Sequence, residues 1–453
     1  MGRDRKALKD TVCKAIDDRR HEISDIGEDI WRNPELGFKE FRTSNLIAKK
    51  FEDLGLSCEK NIALTGVIGR LKGKGDGPAI AVIGEMDALV CYDHPDANPS
   101  TGAVHACGHN AQAAGMMGVA MGLADSGIMK ELPGEIIFMA VPAEEYVEIE
   151  YRLSLRRKGE IEFLGGKQEF IRLERFDDVD LAITDHSKGE TTERKATVGG
   201  GLNGFIGKMI QYRGREAHAG GSPEQGINAL NAALLGLMGI YAQRETFKDD
   251  DHIRVHPIIT KGGEMVNIVP ADVRMETYVR GKTMEAIVDA NVKVNRALKA
   301  GADAVGATVN IEDVPGYLPT AFDPEMDSLF VENLAALIGR ENVALDLIHR
   351  TGSSDIGDVS CMVPTTSAHV GGVRGGGHSK DFKIVDPEME YVIPAKAMAM
   401  VIVDLLFDEG ATAKKVMSTF KPRVLKEDYV DIWRKIMGAE SSSSHDLAVS
   451  RRE

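Results

Sequence analysis

The chain reads as an α/β protein interrupted by a ferredoxin-like α+β domain, and three observations lead there. Short apolar runs bounded by glycine alternate with helical stretches, the pattern of a sheet whose strands are buried. Four of those runs end in turns that carry carboxylates or histidines. Between about residues 197 and 313 the order becomes β-α-β-β-α-β, the split unit of ferredoxin-like domains. The expected division is therefore 1–196 for the first part of the α/β domain, 197–313 for the insertion, and 314–453 for the second part with its C-terminal tail.

The first ~45 residues read as two amphipathic helices, with Ile16, Ile23, Ile26 and Ile30 at helical spacing and a break at Pro34–Gly37. The run Ala79–Gly84 ends in Glu85-Met86-Asp87, and Ile136–Val141 ends in Pro142-Ala143-Glu144-Glu145. Leu181–Thr184 ends in Asp185-His186, and Thr365–Val370 leads to a glycine-rich turn closing on His378. Ligands gather at the carboxyl ends of strands in open α/β sheets. Within the insertion the pattern predicts strand 202–213, helix 226–244, strands 253–261 and 271–280, helix 284–300 and strand 305–312. Helices and strands then continue to about Glu409, followed by a charged helical tail and a frayed end from Ser441–Ser444 onward.

At 453 residues the chain has room for two or three domains. Hydrophobic residues at 43% and charged residues at 28% give an ordinary soluble balance. With 55 basic against 70 acidic side chains the net charge is -15, which argues against bulk attraction to nucleic acid or an anionic membrane. No apolar run approaches the ~20 residues that span a bilayer, and the N-terminus lacks an apolar signal core. Five scattered cysteines argue against a disulfide framework. The expectation is a soluble, cytoplasmic protein.

The chemistry lies in four clusters. In His105-Ala106-Cys107-Gly108-His109-Asn110, a thiol and an imidazole two residues apart can face one borderline transition metal; the competing reading is a buried free cysteine beside a structural histidine. Adjacent Glu144 and Glu145 point in different directions at a strand end, so one can bind a metal and the other take a proton from water; taken in isolation, the pair reads as a solvated acidic turn. His186 and His378 complete a possible set. Five candidate ligands (Cys107, His109, Glu145, His186, His378) exceed one tetrahedral ion and favour two ions ~3.5–4 Å apart. In the insertion, His218, Asn267 and Arg280 offer groups able to grip a carboxylate and a carbonyl oxygen, or else simply furnish a loop and a strand end.

Together GEMDAL, HACGHN, VPAEE, the Asp-His strand end, REAHAGGSPEQGINAL, MVNIVP and GGGHS resemble the aminoacylase and carboxypeptidase G superfamily of metal-dependent amidohydrolases. The resemblance runs from Asp25 to Leu406 and is strongest to the branch of auxin-conjugate, hippurate and aminobenzoyl-glutamate hydrolases. Gly352–Ser360 and Asn110 point to the B subunit of aminobenzoyl-glutamate hydrolase. It implies a mixed-sheet, zinc-exopeptidase-like catalytic domain carrying a lid that also dimerises. It also implies two divalent ions (manganese or zinc) on Cys107, His109, Glu145, His186 and His378, with Glu144 as general base and Asp87 supporting the site. His218 would stabilise the oxyanion in the partner subunit's site, while Asn267 and Arg280 orient the substrate.

Two departures stand out. Asn110 replaces the aspartate many members of the branch carry, and Tyr146–Leu164 adds about twenty residues after the paired glutamates, where specificity is expected to change. The function implied is hydrolysis of an N-acyl or N-aroyl amino acid, a small-molecule amide, by a homodimer; the sequence leaves open a second, different subunit. The alternatives are a dipeptidase or aminopeptidase, with Glu148 or Glu150 receiving the substrate amine, and a metal-binding relative without turnover.

Overall fold

Helix His109–Ser126 is apolar on every side, and its first fifteen residues are buried. Such a helix belongs inside a layer rather than on a surface. It packs against the strands ending at Glu85 and Ser187 on one side and against helices Arg5–Asp18, Arg20–Arg32 and Ile393–Thr419 on the other. The structure, a computed structural model, describes residues 3–438, so the serine run Ser441–Ser444 lies outside the described residues.

The main strands, in chain order, are β1 (Ser57–Ile62), β2 (Gly66–Lys72), β3 (Ala79–Glu85), β4 (Glu135–Val141), β5 (Leu181–Ser187), β6 (Ala196–Leu202), β7 (Gly204–Arg213), β8 (Arg254–Val255), β9 (Ile258–Lys261), β10 (Asp272–Gly281), β11 (Thr308–Pro315), β12 (Val343–Arg350) and β13 (Thr365–Val370). Eight form a mixed sheet in the order β1-β2-β4-β3-β5-β13-β6-β12. Its centre, β4-β3-β5-β13, is parallel, while β1, β2 and β6 run antiparallel to their neighbours. The parallel strands read as near-continuous apolar runs because both faces are covered. Their carboxyl ends consequently share one edge, which gathers the Glu85–Asp87, Glu144–Glu145 and His186 turns.

The described chain divides into two compact units. One comprises 3–201, 321–348 and 358–427; the other comprises 202–320, 349–357 and 428–438. The second unit holds an antiparallel sheet in the order β8-β10-β7-β11, with β9 also on β10. Taken as β-α-β-β-α-β this is the ferredoxin-like arrangement, with helices Ala229–Ala242 and Met284–Asp303 between strands. Asn228 and Thr283 cap those helices through their side-chain oxygens. The expected strand 253–261 is instead two short pieces, β8 and β9, interrupted at His256-Pro257, since proline cannot donate to a ladder.

Candidate metal centre

The Cys107 turn is built by glycine. Gly108 has φ +91°, and a Cβ there would run into the Ser187 side chain, so the turn can close against the end of β5 only without one. Cys107 Sγ thereby comes 3.4 Å from His186 Nε2. The distant His378 is tied to the same turn, its backbone N–H donating to the Ala106 carbonyl at 2.8 Å. It adopts φ +62°, a strained conformation for a side chain of this size. Its Nε2 lies 3.1 Å from Glu145 Oε1.

Ligand-type atoms of Cys107, His109 and His186 lie within 4.8 Å of one another, as do those of Cys107, Glu145 and His378. The five predicted ligands thus form two groups sharing Cys107. Asp87 joins them from behind: it accepts from the Glu145 backbone N–H at 2.9 Å, and its carbonyl and carboxylate oxygens lie 2.9 and 3.2 Å from His109 Nδ1. With Nδ1 held there, His109 presents Nε2 as its ligand atom. Glu144 is buried, with an oxygen 3.9 Å from that Nε2.

Two participants were not singled out in the sequence. Glu85, two residues before Asp87, brings Oε2 to 3.1 Å from His109 Nε2, and Lys167, fully buried, pairs with its other oxygen. Glu85, His109 and Glu144 form a third group of close ligand-type atoms. Strand alternation was the available signal for Glu85, because residues i and i+2 share a face. Lys167 gave none, reading as the start of a helix.

Burial and the Glu145 carboxylate push the Cys107 thiol up, but His186 and His109 outweigh them and bring it to about 6. Burial opposes ionisation of Glu145, yet the His378 imidazole beside it holds the carboxyl at about 2. Burial disfavours a proton on His186, whereas Cys107 lifts it to about 10. Buried anions and imidazoles thus compensate one another: among the described residues Glu85 Oε2, His109 Nε2 and Glu145 Oε1 meet their neighbours as ion pairs without well-aligned hydrogen bonds. A buried set of thiolate, carboxylate and imidazole donors with their hydrogen-bonding capacity unfilled fits divalent transition metals. Chelator treatment is expected to strip activity, and zinc, manganese or cobalt to restore it, with about two ions per chain by elemental analysis; an active metal-free preparation would contradict this.

The three groups predicted in the insertion all lie in the second unit. His218 and Asn267 are exposed on neighbouring segments, joined by Ala219 N–H to the Asn267 carbonyl and Val269 N–H to the Ala217 carbonyl, both at 2.9 Å. His218 Nδ1 accepts from the Gly221 N–H at 2.8 Å. Arg280 sits at the far end of β10, donating to Ser353 Oγ at 3.1 Å and lying over the Phe205 and Tyr278 rings.

A family model described as Peptidase family M20/M25/M40 matches residues 81–402. The chain belongs to this family. M20 members hydrolyse amide bonds, so this chain is a metal-dependent amide hydrolase. It is 26% identical to the mouse Xaa-Arg dipeptidase over 94% of both chains. It is 25% identical to the IAA-amino acid hydrolase ILR1-like 4 of Arabidopsis thaliana, over 76% of this chain and 75% of that one. The aminobenzoyl-glutamate utilization protein of Klebsiella pneumoniae shares the fold, with a TM-score of 0.66 at 18% identity, covering 87% of this M20 chain and 98% of that structure. Among the described residues of this M20 protein, no helix is long and apolar enough to cross a membrane.

The Tyr146–Leu164 segment forms a helix, Ile149–Arg157, packed into the first unit through Leu153 and Leu155. Lys39 Nζ holds both carboxylate oxygens of Glu148, at 2.7 and 2.8 Å. Glu148, considered above as a receptor for a substrate amine, is thereby already paired with an ammonium.

Proposed function

We propose that the protein hydrolyses N-acyl or N-aroyl amino acids with two divalent ions, aminobenzoyl-glutamate-like amides being the first to test. The observation that carries this is the pair of ligand groups sharing Cys107, with Glu144 beside them and outside both. When bound, the ions supply a Lewis acid that polarises the amide carbonyl and makes a water acidic. Cys107, His109, Glu145, His186 and His378 would hold them. Glu144 takes the proton of the attacking water and hands it to the leaving nitrogen. Asp87 fixes the His109 ring and the Glu145 backbone. His218 stabilises the developing oxyanion, and Asn267 and Arg280 orient the amino-acid part.

We propose further that the protein works as a homodimer, a reading supported by the geometry of the second unit. Gly214 N–H donates to the Ala271 carbonyl, placing the His218 and Asn267 segments beyond the Asp272 end of β10. From Asp272 to Arg280 the strand runs roughly 26 Å at ~3.3 Å per residue, farther than a small amide reaches. If all three groups serve one reaction, two copies must contribute them. Helix Ala229–Ala242 also leaves Leu234, Leu235, Met238 and Tyr241 exposed on the same unit, an apolar face suited to self-association. Glu148 being engaged by Lys39 weakens the dipeptidase reading.

The test is a substrate pair. An amide with a free α-carboxylate on the leaving amino acid should be cleaved faster than its methyl ester by a margin of about 2–4 kcal/mol in transition-state binding. Arg280→Ala should erase most of that difference. Equal rates on acid and ester would overturn the carboxylate clamp, and preference for free dipeptides over acyl amino acids would favour the dipeptidase.

A further inference from the structure

We propose that Arg152, carried by the Tyr146–Leu164 segment, is a positioning residue that holds the strand-end turn bearing Glu144 and Glu145. The proposal rests on the reading of those two glutamates given above. Arg152 is completely buried, yet among the described residues it pairs with no carboxylate. Its guanidinium is spent on backbone instead: Nη1 donates to the Ala143 carbonyl at 3.3 Å and the Leu164 carbonyl at 2.7 Å, and Nη2 donates to the Glu145 carbonyl. The Phe38 ring covers it at 5.4 Å. Gly37 makes room, since a Cβ there would run into Nη2.

Two of those three carbonyls flank Glu144, and the turn they belong to needs holding. Ala143 has φ +56°, a left-handed conformation that an alanine adopts only at a cost of roughly 1–2 kcal/mol. Its N–H donates to Glu40 Oε1 at 2.9 Å, so Glu40 grips one side of the strained peptide and Arg152 the other. Only an arginine provides a planar fork with enough donors to reach three carbonyls at once. Burying the cation costs hydration, and its donors are spent on the carbonyls of this turn and of Leu164. The backbone direction this cation sets is that of Glu144 and Glu145.

The experiment uses the full-length, metal-loaded enzyme and the substrate found best in the acid-ester comparison. Arg152→Lys retains charge but can reach only part of the fork. It should lower kcat about 10-fold or more while KM stays within about 2-fold, because a displacement of an ångström at a reacting group is costly and substrate contacts are untouched. Affinity for the ions, titrated calorimetrically with Mn²⁺ into chelator-treated protein, should weaken as well, since Glu145 shares the turn. Arg152→Ala should lose more of both if it folds; if it does not, Arg152→Lys decides. The control is Leu155→Ala on the same helix, which removes buried apolar packing but none of the three hydrogen bonds to the turn. It should lower Tm yet keep kcat and Mn²⁺ affinity near wild type. Wild-type kcat and Mn²⁺ affinity in Arg152→Lys would overturn the proposal, as would an equal loss of kcat in Leu155→Ala. Should Glu144→Gln prove active, the base reading itself fails; should it be inactive while Arg152→Lys is unimpaired, only the role of Arg152 fails.

Discussion

Glu144→Gln is expected to reduce turnover by about two to four orders of magnitude while leaving the metal content intact. The amide keeps the shape of the side chain but cannot accept the proton of the attacking water, and general-base catalysis contributes ~10²–10⁴-fold. Glu145→Gln should behave differently. Its carboxylate stands among Cys107 and His378 atoms and is kept ionised by the imidazole beside it, so its loss should lower ion affinity, and added metal should recover part of the rate. Glu144 meets Glu85 and His109 instead. Elemental analysis and kcat measured across a metal titration on both variants check the assignment. Two variants with identical metal content and identical residual activity would show that the neighbouring glutamates do not divide the work.

Mixing two inactive chains gives the second large effect. His218→Ala and Glu144→Gln preparations should each be nearly inert alone. If His218 serves the neighbouring copy, a random mixture holds half its dimers as hybrids, each with one intact site, and roughly a quarter of wild-type activity should return. The separation of His218 from Arg280 along β10 is what makes this expectation physical. No recovery in hybrids confirmed by native mass spectrometry would return His218 to its own chain or remove it from the reaction.

What the sequence revealed about the site follows from how the sheet is made. Apolar strands followed at once by Glu, His or Asp are visible as abrupt changes in polarity, and parallel neighbours put those changes on one edge. Glu144, Glu145, His186 and Asp87 were therefore legible, and Cys107 and His109 came with a glycine turn. His378 sits eight residues beyond its strand and was legible only through its glycines. Lys167 and Arg152 were not, because a cation in a sequence such as Tyr151-Arg152-Leu153-Ser154-Leu155-Arg156-Arg157 looks like one side of a solvated helix. Nothing local distinguishes the buried Arg152 from its exposed neighbour Arg157. Their difference arises from tertiary packing against Gly37 and Phe38, more than a hundred residues away. The interruption of strand 253–261 could have been foreseen from Pro257.

The strand order of the main sheet has a bearing on how the protein is made in the cell. β5 and β6 are separated by eight residues in sequence but not adjacent in space, because β13, arriving more than 160 residues later, lies between them. A nascent chain that has reached the ferredoxin-like unit therefore carries a sheet with an open slot and unpaired strand edges. Contacts this far apart in sequence close slowly and leave edges exposed to wrong partners in the meantime. Thr365–Val370 fills the slot, and His378 follows it almost immediately. The last central strand and the last metal-ligating candidate are thus delivered together, so the sheet and the candidate ligand set are both completed late, with helix Ile393–Thr419 still to come.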